Sequence, residues 1–142
     1  MINPNVKTLA DLPFHIAGRF PERAILRHSV GSAFIDTSGH DLLERVRDLS
    51  LGLGELGVAA GDRVAVVAES RPEWCITDLA VLTAGGVTVP VYPTLTSGQV
   101  RYILNDCAAT VAVVSNRAPR VRADGLLYVS LRRRHRRIRR IA

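Results

Sequence analysis

Apolar residues in the middle of the chain follow two alternating periodicities, which predict strand, helix, strand and helix over residues 61–104. The valine-rich runs 63–68 and 87–91 are typical of strands buried on both faces. Between them, apolar residues recur at helical spacing, with Ser70 as the predicted N-cap and Gly85 as the stop. A strand–helix–strand unit of this length predicts parallel strands joined by a right-handed crossover.

Another helix and two more candidate strands follow this central unit. Thr96 and Gln99 form a capping-box pattern that predicts a helix start. Residues 110–115 are again valine-rich, and residues 126–131 could form one short strand. We expect the main sheet to end at the 110–115 strand. That end would leave an apolar face and edge exposed and make the chain prone to self-association.

The N-terminal pattern predicts a helix, a hairpin and a second, longer helix. Residues 8–20 have apolar positions at helical spacing, and the short runs 24–27 and 33–36 flank a glycine-containing turn. Ser38 is the predicted N-cap of an amphipathic helix that ends at Gly57. The whole pattern predicts one α/β domain, and 142 residues are enough to bury its core.

Charge is divided unevenly along the chain. The formal net charge of +6 would by itself suggest nucleic-acid binding, but residues 1–116 hold nine basic against twelve acidic side chains. Residues 117–142 hold ten arginines against Asp124 alone, and seven of them lie in the run Arg132–Arg140. The globular part is therefore mildly acidic. Repulsion between like charges predicts that the C-terminal run is disordered when the chain is free.

The arginine run has three interpretations. It could neutralise nucleic-acid phosphates, or it could lie on an anionic membrane surface. It could also come from a GC-rich gene read out of frame, since Lys7 is the only lysine among 19 basic side chains. Only Tyr128 supplies an aromatic ring near the run, so base stacking has little support. We favour the third interpretation, in which the run comes from a GC-rich gene read out of frame.

The glycine-rich segment 52–57 has the G-x-G-x-x-G spacing of a dinucleotide-binding motif, but it does not have the position that this motif needs relative to a strand and a helix. A dinucleotide fingerprint needs its glycines after a strand and at the start of a helix, so that the helix N-terminus faces the pyrophosphate. These glycines end a predicted helix and precede a strand, which predicts packing and a helix stop instead of an NAD site. A Walker-type phosphate loop needs a lysine beside its glycines, and the chain has none there. The segments 37–39 and 96–98 are predicted to be helix starts.

No other side-chain pattern predicts a catalytic or metal site. Glu69 and Glu73 could flank a cleft but are predicted to be helix-dipole partners, and Trp74 is predicted to be a core anchor. Cys75 and Cys107 are predicted to be buried, reduced thiols. The four histidines do not form a ligand pair in the sequence; they are His15, His28, His40 and His135.

Four stretches resemble the N-terminal part of AMP-forming acyl-CoA synthetases, which belong to the adenylate-forming superfamily. They are GDRVA at 61–65, ESRPEW at 69–74, LTAGGVTVPVYPT at 82–94 and QVRYILND at 99–106. The Pro-Glu-Trp helix start, the Tyr-Pro-Thr-Leu-Thr run and the last stretch are most similar to long-chain fatty-acid–CoA ligases. The resemblance covers residues 8–116.

One departure from the family falls at the start of the second predicted helix. The family usually has Thr-Tyr-x-Glu-Leu there, whereas this chain has Ser38-Gly39-His40-Asp41-Leu42. Gly39 thus stands where the family has an aromatic residue that would pack under the helix.

The resemblance implies an α/β fold, a partial doubly wound parallel sheet with flanking helices, and a two-step ligase reaction. In the family, a fatty carboxylate attacks the α-phosphate of ATP to give acyl-AMP and pyrophosphate, and the thiol of CoA then displaces AMP. This chemistry uses Mg²⁺, a lysine-containing phosphate loop, an acidic ribose ligand and a lid lysine. All of these lie downstream of the resemblance, so no catalytic, cofactor-binding or metal-binding residue and no cofactor is assigned to this chain.

The resulting prediction is the N-terminal portion of an AMP-binding domain at 8–116, followed by an Arg-rich tail at 117–142 of non-homologous or frameshifted origin. Cut short before the phosphate loop and lid lysine, the chain is predicted to be inactive alone. The alternative is a small α/β binding module that uses its Arg-rich tail on nucleic acid or anionic membrane. A cytoplasmic location is expected, because neither a secretion signal nor an apolar run of ~20 residues is seen. Association with a membrane surface stays open.

Overall fold

A computed structural model describes residues 6–115 and 127–131, which form four α-helices, a short 3-10 helix and six strands. In chain order the elements are the 3-10 helix Leu9–Asp11, α1 (Leu12–Arg19), β1 (Ala24–Val30), β2 (Ala33–Ser38), α2 (Gly39–Glu55), β3 (Arg63–Val67), α3 (Pro72–Thr83), β4 (Val87–Val91), α4 (Ser97–Asp106), β5 (Val111–Ser115) and β6 (Leu127–Leu131). Each element predicted from the hydrophobic pattern is present, within a few residues of its expected bounds.

Two of the helices begin at capping boxes that are visible in the sequence. Ser38 Oγ accepts a hydrogen bond from the Asp41 backbone N–H at 3.1 Å, and the Asp41 carboxylate accepts one from the Ser38 N–H at 3.4 Å. Thr96 and Gln99 form the same reciprocal pair at the start of α4, at 3.3 and 3.0 Å. The N-cap predicted at Ser38 and the capping box predicted at Thr96 and Gln99 are confirmed. Each satisfies N–H groups that the first helical turn cannot pair.

Four strands form one parallel sheet in the order β4-β3-β5-β6. Val64 of β3 stands opposite Thr88 of β4 and Val111 of β5. Val111 in turn stands opposite Leu127 of β6. The strands β1 and β2 form a separate antiparallel hairpin, as predicted.

Helices cover both faces of the parallel sheet. On one face, α2 and α3 pack over a buried apolar cluster of Leu42, Val46, Leu53, Val58, Val64, Ile76, Ala80, Val81, Val111, Val113 and Val129. On the other face, α4 packs over a cluster of Ala65, Val67, Val91, Val100, Leu104 and Ala112. Alternate residues of β3 therefore enter different cores, as expected of a parallel strand buried on both sides. The predicted α/β fold with a doubly wound parallel sheet is confirmed.

Two predictions, one about the extent of the sheet and one about a helix start, are wrong. The main sheet does not end at the 110–115 strand, because β6 pairs with all five residues of β5. Ser70 is not the cap of α3. The N-cap is Arg71, whose backbone is extended (φ −157°, ψ 160°) because Pro72 disfavours helical geometry in the residue before it. The predicted disorder of Arg132–Arg140 lies outside the described residues.

Arg63 ties the beginning of β3 to the end of α4. Its Nε donates to the carbonyl of Cys107 at 2.8 Å, and its Nη2 donates to the carbonyl of Ala108 at 3.3 Å. Its Nη1 donates to the carbonyl of Gly61 at 3.3 Å. The carbonyls at the end of a helix have no partner within the helix, so a guanidinium there satisfies them and complements the helix dipole.

Arg63→Met should lower the free energy of unfolding by about 1–2 kcal/mol, because methionine keeps the apolar stem but removes all three hydrogen bonds. Urea unfolding at neutral pH measures this change. The control is Arg101→Met, which removes an exposed arginine of α4 and should change stability by less than about 0.5 kcal/mol. Equal effects of the two substitutions would contradict the capping role of Arg63.

Candidate functional site

The carboxyl ends of the neighbouring strands β3 and β5 lie at a topological switch point of the sheet. The chain passes from β3 to β4 on one side and from β5 to β6 on the other. In open parallel sheets, ligands bind at such a switch point, because the loops that follow the two strands diverge there. The residues that follow β3 and those that end β5 therefore define the candidate site.

An arginine and a glutamate flank the start of α3 at this edge. Arg71 Nε donates to Glu73 Oε2 at 2.7 Å, and the two side chains are only 20% and 15% exposed. Pro72 stands between them at the first helical position, where its missing N–H costs little. Arg45 of α2 approaches the other carboxylate oxygen of Glu73 at 3.9 Å. The carboxylate therefore links α2 to the beginning of α3.

The pKa of Glu73 lies below its ordinary value although its carboxylate is shielded from water. Burial alone would raise this pKa, but the hydrogen bond from Arg71 and the positive charges of Arg71 and Arg45 outweigh burial. The same hydrogen bond raises the pKa of Arg71, and the negative charge of Glu69 adds to that effect. A carboxylate held in its ionised form is a poor proton acceptor near neutral pH. Glu73 is therefore suited to joining two helices and not to general base catalysis.

Ser115 stands at the end of β5, on the other side of the switch point. Its side chain is 3% exposed, and its hydroxyl has no hydrogen-bond partner within the described part of the chain. A serine hydroxyl needs an adjacent general base to act as a nucleophile. The candidate site is thus polar and charged, but its described residues do not include a reactive pair.

The glycines of segment 52–57 lie where the sequence predicts. Gly52 and Gly54 are in the last turns of α2, and Gly57 follows the helix with φ +88°. Carbonyl oxygens point outward at this end of a helix, so a pyrophosphate would meet the wrong partial charge. The geometric argument against a dinucleotide site therefore holds.

The sequence also singles out the histidines, the two cysteines and Trp74. Over residues 6–115 and 127–131, no group of three His, Cys, Asp or Glu side chains is placed to hold a metal ion. Cys75 is exposed and Cys107 is half-buried, so the prediction of buried thiols is wrong for Cys75. Trp74 is half-buried instead of forming a fully buried core anchor.

The lysine and the helix-start hydroxyls of the described residues do not form the phosphate loop that the resemblance implies for ATP. Lys7, the only lysine of the chain, is exposed near the N-terminus. Ser38 and Thr96, at the two glycine-containing helix starts, use their hydroxyls to cap their own helices. In the part of the chain that is described, no group of three His, Cys, Asp or Glu side chains is placed to hold a metal ion. The absence of a cofactor site from this chain stays a prediction. We assign no reaction step to these residues.

The link from Arg45 to Glu73 could not be found in the sequence. Arg71 and Glu73 flank a proline at a helix start, and that local pattern marks them as neighbours. Arg45 belongs to a different helix, and its approach to Glu73 depends on how α2 and α3 pack. A pattern read along the chain does not contain this information.

None of the described helices is both long and apolar enough to cross a membrane. The Arg132–Arg140 run and His135 lie outside the described residues. Binding of that run to nucleic acid or to a membrane surface therefore stays a prediction.

Comparison with known proteins finds relatives for most of the chain. The model of the AMP-binding enzyme family matches residues 14–138. The chain is 40% identical over 91 residues to the long-chain-fatty-acid–CoA ligase FadD15 of Mycobacterium tuberculosis, a match that covers 64% of this chain and 15% of that ligase. It is 34% identical over 111 residues to a long-chain-fatty-acid–CoA ligase of Bacillus subtilis, covering 78% of this chain and 19% of the relative. The chain thus spans less than a fifth of the length of these relatives.

A solved structure has the same fold. The crystal structure of IdnL1 superposes with a TM-score of 0.81 over 92% of this chain and 27% of that chain, at 20% sequence identity. At this identity the likeness shows the fold alone. The family match extends beyond residue 116 and includes β6. The origin expected for residues 117–142 stays a prediction.

Proposed function

The chain belongs to the AMP-binding enzyme family, and from this premise we propose that it is the N-terminal part of an ATP-dependent long-chain fatty-acid–CoA ligase. The observation that carries the proposal is the 40% identity with FadD15 over 91 residues. In the proposed reaction, a fatty carboxylate attacks the α-phosphate of ATP, which forms acyl-AMP and releases pyrophosphate. The thiol of CoA then attacks the acyl carbon, which forms the thioester and releases AMP.

Within such a ligase, the described residues serve as scaffold. Two apolar cores hold the parallel sheet between helices, and the Arg45–Glu73–Arg71 link fixes the beginning of α3 at the carboxyl edge. In this proposal ATP, CoA and Mg²⁺ are bound by parts of the ligase other than these residues. The 142-residue polypeptide by itself therefore has no ligase activity.

The test is exchange of radiolabelled pyrophosphate into ATP in the presence of palmitate. The 142-residue chain alone should give no exchange above a mock purification. A chimera in which residues 8–115 replace the corresponding region of M. tuberculosis FadD15 should give palmitate-dependent exchange. FadD15 that lacks this region and carries no replacement is the matched negative control.

Each arm of the test can contradict a different part of the proposal. Exchange catalysed by the chain alone would show that the scaffold role is wrong. A chimera that is folded by circular dichroism but gives no exchange would contradict the assignment to a fatty-acid–CoA ligase.

A further inference from the structure

The turn end of the β1–β2 hairpin exposes apolar side chains on both of its faces. Phe34 is 70% exposed and Ile35 is 47% exposed. They are consecutive residues of β2, so their side chains point to opposite faces of the two-stranded ribbon. The turn residues 31–32 are also exposed, whereas Thr37, near the other end of β2, is buried. Residues 29–35 are called here the hairpin tip.

The hairpin is also divided along its length into a charged base and an uncharged tip. At the base, Arg27 stands opposite Asp36, and Arg27 Nη2 donates to Asp36 Oδ2 at 2.7 Å. The hairpin tip contains no Asp, Glu, Lys, Arg or His. The strand rises about 3.3 Å per residue, so about 13 Å separates Arg27 from Gly31 in the turn. The ribbon is therefore amphipathic from end to end, with its apolar part outermost.

The other exposed apolar side chains lack this arrangement. Among the described residues, Phe34 and Ile35 are the only exposed large apolar residues that adjoin each other in the chain. Leu51 and Tyr102 lie on α2 and α4, and each is exposed on one side of its helix. A flat protein surface could cover one such side, but on the hairpin tip it would leave the opposite face in water. A lipid layer surrounds an inserted segment and removes both faces from water.

We propose that the hairpin tip inserts into the interfacial region of a lipid bilayer, with the Arg27–Asp36 pair at the level of the headgroups. Interfacial elements bury their apolar side about 5–10 Å deep, and the tip is long enough to reach this depth. The proposed substrate favours the same occupant, because a long acyl chain leaves water for a bilayer. That last step rests on the proposed function, whereas the geometry of the tip is independent of it.

Partitioning of the 142-residue chain onto phosphatidylcholine vesicles tests the proposal. Zwitterionic lipid is used because the ten arginines of residues 117–142 are expected to attract anionic lipid by charge alone. The double variant Phe34→Thr/Ile35→Thr removes both apolar side chains and keeps a high strand preference. Its partition coefficient should fall about tenfold or more, because two apolar side chains no longer leave water. Leu51→Gln removes an apolar residue that is 61% exposed on α2, and it should leave partitioning unchanged.

Phe34→Trp gives a second readout that keeps an aromatic ring on the tip. Its indole emission should shift to the blue when phosphatidylcholine vesicles are added, and brominated acyl chains should quench it. The parent chain, whose single tryptophan is Trp74, supplies the background emission. Circular dichroism of each variant without lipid checks that the fold is unchanged.

The proposal is overturned if the parent chain does not partition, or if the double variant partitions as the parent does. Binding to anionic vesicles alone, lost at high salt and unchanged in the double variant, would assign the binding to the Arg132–Arg140 run and also overturn it. A blue shift in Phe34→Trp that depends on protein concentration and not on lipid would show that a second copy covers the tip. Pyrophosphate exchange by the FadD15 chimera, with no partitioning of the chain, would overturn this inference and leave the proposed function standing.

Discussion

Replacing Gly39 with alanine should lower the free energy of unfolding by about 1–3 kcal/mol, the usual cost of overpacking a buried site. Gly39 is buried at the first position of α2, and a methyl group there would overlap the carbonyl oxygen of Phe20. It would also lie 3.2 Å from Cγ2 of Ile16. The main obstacle is the backbone of Phe20. The segment that contains it is held against the start of α2, since the Gly39 N–H donates to the carbonyl of Arg23 at 3.1 Å. A backbone held in this way cannot move aside cheaply.

Gly54→Ala is the matched control in the same helix. Nothing lies within 4 Å of the position that its Cβ would occupy, and Gly54 is exposed to solvent. Alanine costs less conformational entropy than glycine in a helix, so this substitution should raise stability by about 0.5 kcal/mol. Urea unfolding of both variants at neutral pH measures the two changes. Opposite signs are expected, and a loss of stability in Gly54→Ala as large as in Gly39→Ala would contradict the steric explanation.

Gly39 also shows how far the family resemblance could be taken from sequence alone. The sequence shows that an aromatic residue of the family is replaced by glycine, which suggests lost packing under the helix. The structure shows that the space is filled, because the backbone of Phe20 closes on the start of α2. Which neighbour fills a space depends on tertiary packing, and a one-residue comparison with a family pattern does not specify it.

Signals that act over three or four residues were predictable from the sequence. The capping boxes at Ser38 and Thr96 and the helix stop before Gly57 are local hydrogen-bonding and backbone effects. The prediction at Ser70 failed because a competing local rule, the extended preference of a residue before proline, is stronger there. Local rules were thus sufficient where only one of them applied.

Features that depend on strand order were harder to predict. The pairing of β6 with β5 joins strands separated by residues 116–126, and the hydrophobic pattern does not say which neighbour a short strand will choose. The exposure of Cys75 has a similar cause. It is adjacent to Ile76, which enters the core, and one step along a helix turns a side chain by about 100°. The candidate site at the switch point likewise exists only once the order of the strands is known.

Arg71→Met should lower the free energy of unfolding by about 1–3 kcal/mol at pH 7, because it removes the charged side chain that donates a hydrogen bond to the shielded carboxylate of Glu73. In the parent chain the pKa of Glu73 is lowered in the folded state. Its ionised form therefore contributes stability that is present above the unfolded-state pKa of about 4.3 and is lost as pH falls through the lower folded-state value. In Arg71→Met, burial is opposed only by the backbone N–H of Glu73 and the more distant Arg45, so this contribution shrinks or changes sign.

The stability difference between Arg71→Met and the parent should consequently be largest above about pH 5 and should diminish at lower pH, as Glu73 becomes protonated in every state. Urea unfolding over a series of pH values measures this profile.

Adding Glu73→Gln to Arg71→Met should recover part of the loss of stability at pH 7, because it removes the uncompensated charge. Arg45→Met is the matched control. Because Arg45 lies 3.9 Å from the Glu73 carboxylate and its side chain is 44% exposed, this ion pair should contribute less than about 1 kcal/mol. A pH-independent loss in Arg71→Met would show that the arginine acts through packing at the start of α3 and not through the carboxylate of Glu73.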